Sequence, residues 1–414
     1  LALVLALFAM GGQAAAQVTT CDPATSQFIV DDAAEATAVG ATGYSNTACD
    51  LIIRITLPVT PQTLTLNART IAVEGPSPAN RAEIINNVTS SAIQFVALNG
   101  ISLTNASVKA HKNLRFTCSA ADCPFTSVQS DIITATDFAN PQAGGVITFN
   151  IGGPINIQTT NLHGGDSIEM ESRSSSITLL CGQGTTPCKD PLQAPIPPII
   201  LAACPPQAGD PPGTVVHFPC PVTFPDAASL TSVCIGEVGV ICNGGNKEKR
   251  FTAFTFIDIT NSTIVSDEHV TFTCKTEDFR GSGSTLMAEQ VAIRCQGKVD
   301  LSDSKITLDK GLTVTSSGCP AAGTDCVDLS GAVVIADPII ITANGGGKQI
   351  NACGASFTEA SGSFPKLNSA ATPTTYNVTQ VLFSEYTIGG VAQPPRGTVP
   401  PQCGGPGTGA SFNP

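Results

Sequence analysis

A repeating step of 21 residues limits what this chain can fold into more than any other feature. Apolar pairs return on one register at Val270/Phe272, Val291/Ile293, Leu312/Val314 and Val333/Ile335. Each pair alternates inward and outward positions, the period of a short strand with one side in a core. A unit of about 20 residues is too short for a helix pair, but it suits a few short strands joined by turns. Stacked units of that kind form a parallel β-helix. Polar positions keep the same step, since Cys274 returns as Cys295 and Glu268 as Glu289.

The repeat extends toward the N-terminus. Ile71/Val73, Ile93/Phe95 and Leu114/Phe116 are spaced by 22 and 21. Residues 103–118, LTNASVKAHKNLRFTC, align without a gap on residues 259–274, ITNSTIVSDEHVTFTC. The apolar set Leu103, Val108, Leu114, Phe116 recurs as Ile259, Ile264, Val270, Phe272, again at Ile157, Leu162, Ile168, Met170, and at Leu301, Ile306, Leu312, Val314. Composition agrees: Gly and Pro are abundant, charged residues make up only 13%, and strand formers dominate over helix formers. The expected fold is all-β, a right-handed parallel β-helix of about 21 residues per coil.

Six segments are expected. Residues 1–17 (LALVLALFAMGGQAAAQ) read as a signal peptide cut near Gln17, because the apolar run is shorter than the ~20 residues of a membrane anchor. Residues 18–50 form an N-terminal cap with a short helix at 31–38, and residues 51–188 a first β-helix block. The Pro- and Cys-rich stretch 189–250 is an excursion from the solenoid or a linker between two solenoid blocks, because proline is poorly tolerated in central strands. Residues 251–345 form a second block. Residues 346–414 begin with a loop and continue as late strands at 375–388 and an irregular tail.

Sixteen cysteines point to an oxidising compartment. Proximity pairs Cys118 with Cys123, Cys181 with Cys188, Cys204 with Cys220, Cys234 with Cys242, and Cys319 with Cys326. Coil register pairs Cys274 with Cys295, and elimination leaves Cys21 with Cys49 and Cys353 with Cys403. Zinc is disfavoured because no C-x-x-C pair occurs. Sequons stand at Asn87, Asn105, Asn261 and Asn377. A net charge of −12 and a pI near 4.7 argue against nucleic acid and anionic membranes as partners. No membrane span is expected in the mature chain.

The recurring short strands, polar turns and inward aliphatic positions over residues 50–345 resemble the right-handed parallel β-helix proteins of the pectin-lyase-like superfamily. That resemblance is one of pattern and implies the fold. The superfamily includes polysaccharide lyases and hydrolases, adhesins and other surface proteins. Its lyases use Asp clusters for Ca²⁺ with a nearby Arg or Lys as base, so the resemblance directs attention to Arg280 and Arg294.

The register itself supplies the candidate site. Turns at 267–269, 288–290 and 309–311 should lie side by side, stacking Glu268 on Glu289 with Lys310 next and Asp267 and Asp309 flanking. Two carboxylates at coil spacing repel, so one pKa should rise or a cation should sit between them. Asp267, Glu268, Glu289 and Asp309 are thus candidate Ca²⁺ ligands, and Asp267, Glu268, Glu289 and Arg280 candidate catalytic residues. The competing reading is a solvated turn row with Lys310 balancing the charge. For a hydrolase, Asp258, Asp300 and Asp303 are further acids, although their spacing does not select them.

Thr271/Thr273 and Thr313/Thr315 form an outward Thr array that Ala292 and Arg294 interrupt, and the histidines His111, His163, His217 and His269 read as turn residues. Only three Tyr and no Trp are present, which weighs against a sugar-stacking cleft. The expected function is a secreted or cell-surface structural or binding protein, adhesin-like, with extracellular polysaccharide or surface components as partners. The alternative is a polysaccharide lyase or glycoside hydrolase built on the acidic turns.

Overall fold

In the computed structural model the described residues are 20–136, 138, 145–180, 240–243, 248–266, 268–319, 325–344, 349–352, 355–358, 366–369, 376–378, 385–388 and 391–393. Strands make up 59% and there is one helix, so the chain is all-β. It is a parallel β-solenoid of about 10 turns and about 24 residues per turn.

Each coil of the body has three faces. In one coil these are the strands His269–Cys274, Phe279–Arg280 and Thr285–Ala288. The next coil repeats them as Gln290–Cys295, Val299–Asp300 and Lys305–Leu308, parallel and in register. The first and second faces belong to one 24-stranded sheet and the third face to an 11-stranded sheet. The echo seen in the sequence is structural. Asn105 and Asn261 take the same left-handed turn, at φ 48° and 56°, and the strands Asn113–Cys118 and His269–Cys274 follow.

The inward side of the first face carries the core. Phe95, Phe116 and Phe149 stack with ring centroids 4.8 and 4.9 Å apart, and Phe251 stacks on Phe272 at 5.0 Å. Met170 holds the same row between the two stacks. Phe125 and Phe279 reach in from the second face, each 4.8–5.0 Å from first-face rings. One residue from each coil thus fills the same slot, and parallel pairing repeats that slot up the axis. Toward the second face the inward row carries Cys118, Ile151, Ser172, Ala253, Cys274, Cys295, Ser316 and Ala343, small residues at every place but Ile151, where the wall bends. Here Ser172 and Ser316 donate to the carbonyls of Gly153 and Gly297 at 2.8 and 2.7 Å. Those bonds satisfy hydroxyls that are fully buried.

Between the second and third faces the chain turns through left-handed residues. Asn105, Gln129, Thr159, Asn261 and Asp303 have φ between 48° and 56°, and Gly283 and Gly331 take φ 65° and 68°. A Cβ at Gly283 would collide with Oδ1 of Asn261, and one at Gly331 with Oδ1 of Asp303. A polar side chain of one coil therefore lies against the bare Cα of the next.

Disulfides join Cys21 to Cys49, Cys118 to Cys123, Cys274 to Cys295 and Cys319 to Cys326, the four expected pairs that fall within the described residues. The sulfurs of Cys181, Cys188, Cys204, Cys220, Cys234, Cys242, Cys353 and Cys403 lie outside them, as do residues 1–17 and the tail beyond Gln393. The ladder is continuous across the Pro-rich stretch: Ser167–Ser172 pairs directly with Lys249–Ala253, and Ile177–Leu180 with Ile257–Asp258.

Four expectations need correction. Val333 and Ile335 do not continue the first-face row. Leu312 pairs with Ile339 and Val314 with Ile341, because the Cys319/Cys326 loop lengthens that coil, and Val333–Ile335 lies on the third face. Ile71 and Val73 are partners of Leu51/Ile53 and Ile101/Leu103, while Ile93 and Phe95 sit on Leu64 and Leu66. The first coils are longer, with strands such as Thr63–Glu74 that run across two faces through a bulge at Ala68/Thr70. At that bulge Arg69 donates to both oxygens of Asp50, at 2.8 and 2.6 Å. The cap helix spans Ala33–Thr42, with Asp32 as its N-cap accepting from Ala34 and Glu35. Beyond residue 345, Gln349–Ala352 and Ser356–Thr358 are ladder strands where a loop was expected, and Lys366–Ser369 is a further strand.

Phe272 contacts rings from its own coil and from the coil before it. Phe272→Ala should cost about 3–5 kcal/mol, the range for a buried aromatic cut to alanine. A guanidinium midpoint unchanged from the parent would contradict the stacked-slot description.

Candidate functional site

The predicted acidic row forms at the corner between the third and first faces. The backbone amide of Glu289 donates to the Glu268 carbonyl at 2.9 Å, that of Lys310 to Glu289 at 2.6 Å, and that of Asp337 to Lys310 at 3.1 Å. Glu268, Glu289 and Lys310 therefore stand one coil apart, as the repeat requires. The ammonium of Lys310 pairs with Oε1 of Glu289. On the other side, Nε2 of His269 lies 3.1 Å from Oε2, an ion pair when the imidazole is protonated.

This arrangement matches the reading in which Lys310 balances the charge, and not the one in which a carboxyl pKa rises at Glu289. The hydrogen bond from Lys310 holds its carboxyl below the usual range against a smaller opposing effect of burial, with the charges of Lys310 and His269 assisting. The same contact raises Lys310. Farther along the corner, burial pushes Glu248 upward. Hydrogen bonds from Thr271 at 2.5 Å and Arg250 at 2.7 Å outweigh it, so Glu248 also lies below its ordinary value. The protein's own cations and hydroxyls occupy these carboxylates.

The other nominated residues do not converge on this corner. Asp267 lies outside the described residues, and Asp309 is exposed beside Lys310. Arg280 is on the second face, at the opposite end of Thr285–Ala288, with its guanidinium 4.3 Å above the Phe256 ring. Among the described residues no group of three or more His, Cys, Asp and Glu could hold a metal ion.

A second polar row was not anticipated. Asp258, Arg280, Asp300 and Asp328 are register partners on successive coils of the second face. Asp258, Asp300 and Asp328 each close a turn by accepting the amide two residues on, from Thr260, Ser302 and Ser330, at 3.0 Å in every case. Ser302 and Ser330 also donate their hydroxyls to the same oxygens at 2.7 Å. Nζ of Lys298 lies 3.7 Å from Asp300 and 3.3 Å from Asp328. The legible signal is an Asp-Ile/Leu-Ser/Thr triplet that ends this strand on three coils, with Arg280 in the fourth. Asp303 belongs to the left-handed turn instead.

No protein-family model, curated protein or solved structure matches this chain.

The remaining sequence candidates are dispersed. Nδ1 of His111 lies 3.0 Å from the Ala135 carbonyl and its ring stacks on Phe138 at 4.5 Å. His163 is buried on the third face, unlike the expected surface turn. His217 lies outside the described residues. Arg294 is exposed on the first face, between Thr273 and Thr315 in register, and Ala292 separates Thr271 from Thr313. Of the sequons, Asn87 and Asn261 are exposed. Asn105 donates from Nδ2 to the Gly75 carbonyl at 3.2 Å and buries Oδ1. The side chain of Asn377 is outside the described set.

Three outcomes follow from these contacts. In Lys310→Met the Glu289 carboxyl midpoint should rise, read by ¹³C carboxylate titration, and an unmoved midpoint would refute the pairing. Because folding lowers this pKa, the pair stabilises above the unfolded carboxylate value and its contribution fades as pH falls through the folded one. The stability gap between parent and Glu289→Gln should accordingly close in acid. After expression in a eukaryotic secretory host, glycopeptide mass spectrometry should find glycan at Asn87 and none at Asn105, whose amide nitrogen is committed to Gly75. A glycan on Asn105 would contradict that assignment.

Proposed function

We propose that this chain is a secreted structural or binding protein, an adhesin-like β-helix at a cell surface or in extracellular matrix, related in architecture to the pectin-lyase-like superfamily. The observation that supports this most is the engagement of its charged rows. Glu289 is held between Lys310 and His269, Glu248 by Thr271 and Arg250, and Asp300 and Asp328 by their own turns and Lys298. Groups tied coil to coil serve cohesion of the rod better than acid–base chemistry on a substrate. The disulfides favour an oxidising compartment. No helix among the described residues is long and apolar enough to cross a membrane.

The outer side of the first face is the surface such a protein would present. Thr252, Thr273, Arg294, Thr315 and Thr342 form one register row there. Hydroxyls at coil spacing with an interspersed cation suit hydrogen bonding to extracellular polysaccharide. One observation favours the enzymatic alternative. Asp258 and Asp300 stand two coils apart, about 9.6 Å at ~4.8 Å per coil, near the upper end of the separation used by inverting glycosidases. Arg280 lies between them.

A turnover screen on acidic and neutral polysaccharides, with and without Ca²⁺, separates the two readings. Binding without depolymerisation is the expected result, with affinity reduced in Arg294→Ala. Depolymerisation abolished by Asp300→Asn or Glu289→Gln would replace the scaffold reading with the enzymatic one.

A further inference from the structure

Among the described residues three large apolar side chains are more than a third exposed, Leu98, Phe254 and Val333, and Phe254 alone is aromatic. The neighbouring rings are engaged. Phe251 and Phe272 fill the inward slot, and Phe256, two residues beyond Phe254, has its face covered by the Arg280 guanidinium 4.3 Å above it. No ring or guanidinium among the described residues stacks on Phe254. A single exposed phenylalanine means little by itself. The side chains around this one give it a chemistry.

Register places Phe254 at the end of the first face, at the corner where the wall turns to the second. Its backbone amide donates to the Ser172 carbonyl, as that of Arg173 does to Ile151 and that of Lys275 to Ala253. Arg173, Phe254 and Lys275 therefore stand one above another at coil spacing, and both cations are exposed. Arg173 is held in place through Nη2, which donates to the carbonyls of Cys118 and Ser119 at 3.0 and 3.2 Å. Lys275 reaches back across the strand that leads into Phe254, and its Nζ lies 3.7 Å from Oε1 of Glu171 on the coil before. Thr252, partly open two residues before Phe254, belongs to the outer hydroxyl row of the first face.

An exposed ring edged by donors on Arg173 and Lys275, an acceptor on Glu171 and a hydroxyl on Thr252 matches the two surfaces of a pyranose. Its C–H face is apolar and lies on an aromatic ring, while the hydroxyls around its edge both donate and accept. Glu171 opposes a sugar carboxylate or sulfate, and the net charge of −12 repels a polyanion at longer range. We propose that Phe254 is the stacking platform for a neutral pyranose unit of an extracellular polysaccharide, with Arg173, Lys275, Glu171 and Thr252 as its hydrogen-bonding rim. This rests on the reading that the first face meets polysaccharide, and it names the sugar class and the side chain that grips it.

Native affinity electrophoresis of the full chain tests this, in gels cast with the neutral polymers laminarin, galactomannan or xyloglucan and with the acidic polymers polygalacturonate or alginate. Retardation by at least one neutral polymer, stronger than by either acidic one, is the expected result. Phe254→Ala should weaken it about tenfold. Phe254→Leu, which keeps apolar bulk and loses the ring face, should weaken it as much, and Phe254→Tyr should retain it. Guanidinium midpoints matching the parent's show that the fold is kept, and if alanine shifts the midpoint, the leucine and tyrosine variants decide. Unchanged retardation in Phe254→Leu overturns the proposal and leaves the polysaccharide reading standing, as does retardation by the acidic polymers equal to or above that by the neutral ones. No retardation in any gel overturns both.

Discussion

Every feature of this molecule depends on parallel pairing between coils, which sets each residue about 4.8 Å from its counterpart above and below. A position in the coil is therefore a row along the rod, and whatever stands in a row must tolerate its own repetition. Phenylalanines do so on the inner side of the first face, where flat rings stack at 4.8–5.0 Å. Carboxylates do not, since like charges at that spacing repel. The charged rows answer with neighbouring cations: Lys310 pairs with Glu289 beside Glu268, Arg280 separates Asp258 from Asp300, and Lys298 reaches both Asp300 and Asp328.

That rule explains what could be read in advance. Where a coil keeps its length, the step of 21 residues placed Val270, Val291 and Leu312 in one inward row and Cys274 against Cys295. It failed where coil length changed. The loop closed by Cys319 and Cys326 shifted the first-face row to Ile339 and Ile341, and periodicity cannot register an insertion placed at a corner. The early strands failed for a related reason: Thr63–Glu74 runs through a bulge across two faces, so Ile71/Val73 and Ile93/Phe95, though one step apart in sequence, belong to different faces.

Of the candidate site, the stacking of Glu268, Glu289 and Lys310 was legible, because stacking is a property of register. Whether Lys310 balances that row or a carboxyl pKa rises in it stayed open. It depends on how far the Lys310 and His269 side chains reach across the coil, which spacing alone does not encode. The grouping of Arg280 with the glutamates failed because proximity in sequence says nothing about which corner of a triangular coil a residue occupies. The Asp258, Asp300 and Asp328 row escaped notice since its steps are unequal and a cation interrupts it.

The disulfide between Cys274 and Cys295 joins consecutive coils of the body, whereas Cys118 with Cys123 and Cys319 with Cys326 close loops within one coil. A solenoid pulled from its ends yields by peeling, one coil at a time, as each ladder of hydrogen bonds is unzipped in turn. A covalent bridge across one such boundary cannot be unzipped. Under tension the ladders on either side of it can still open, but force passes through the sulfurs and the coil between Cys274 and Cys295 is spared while the bond is intact.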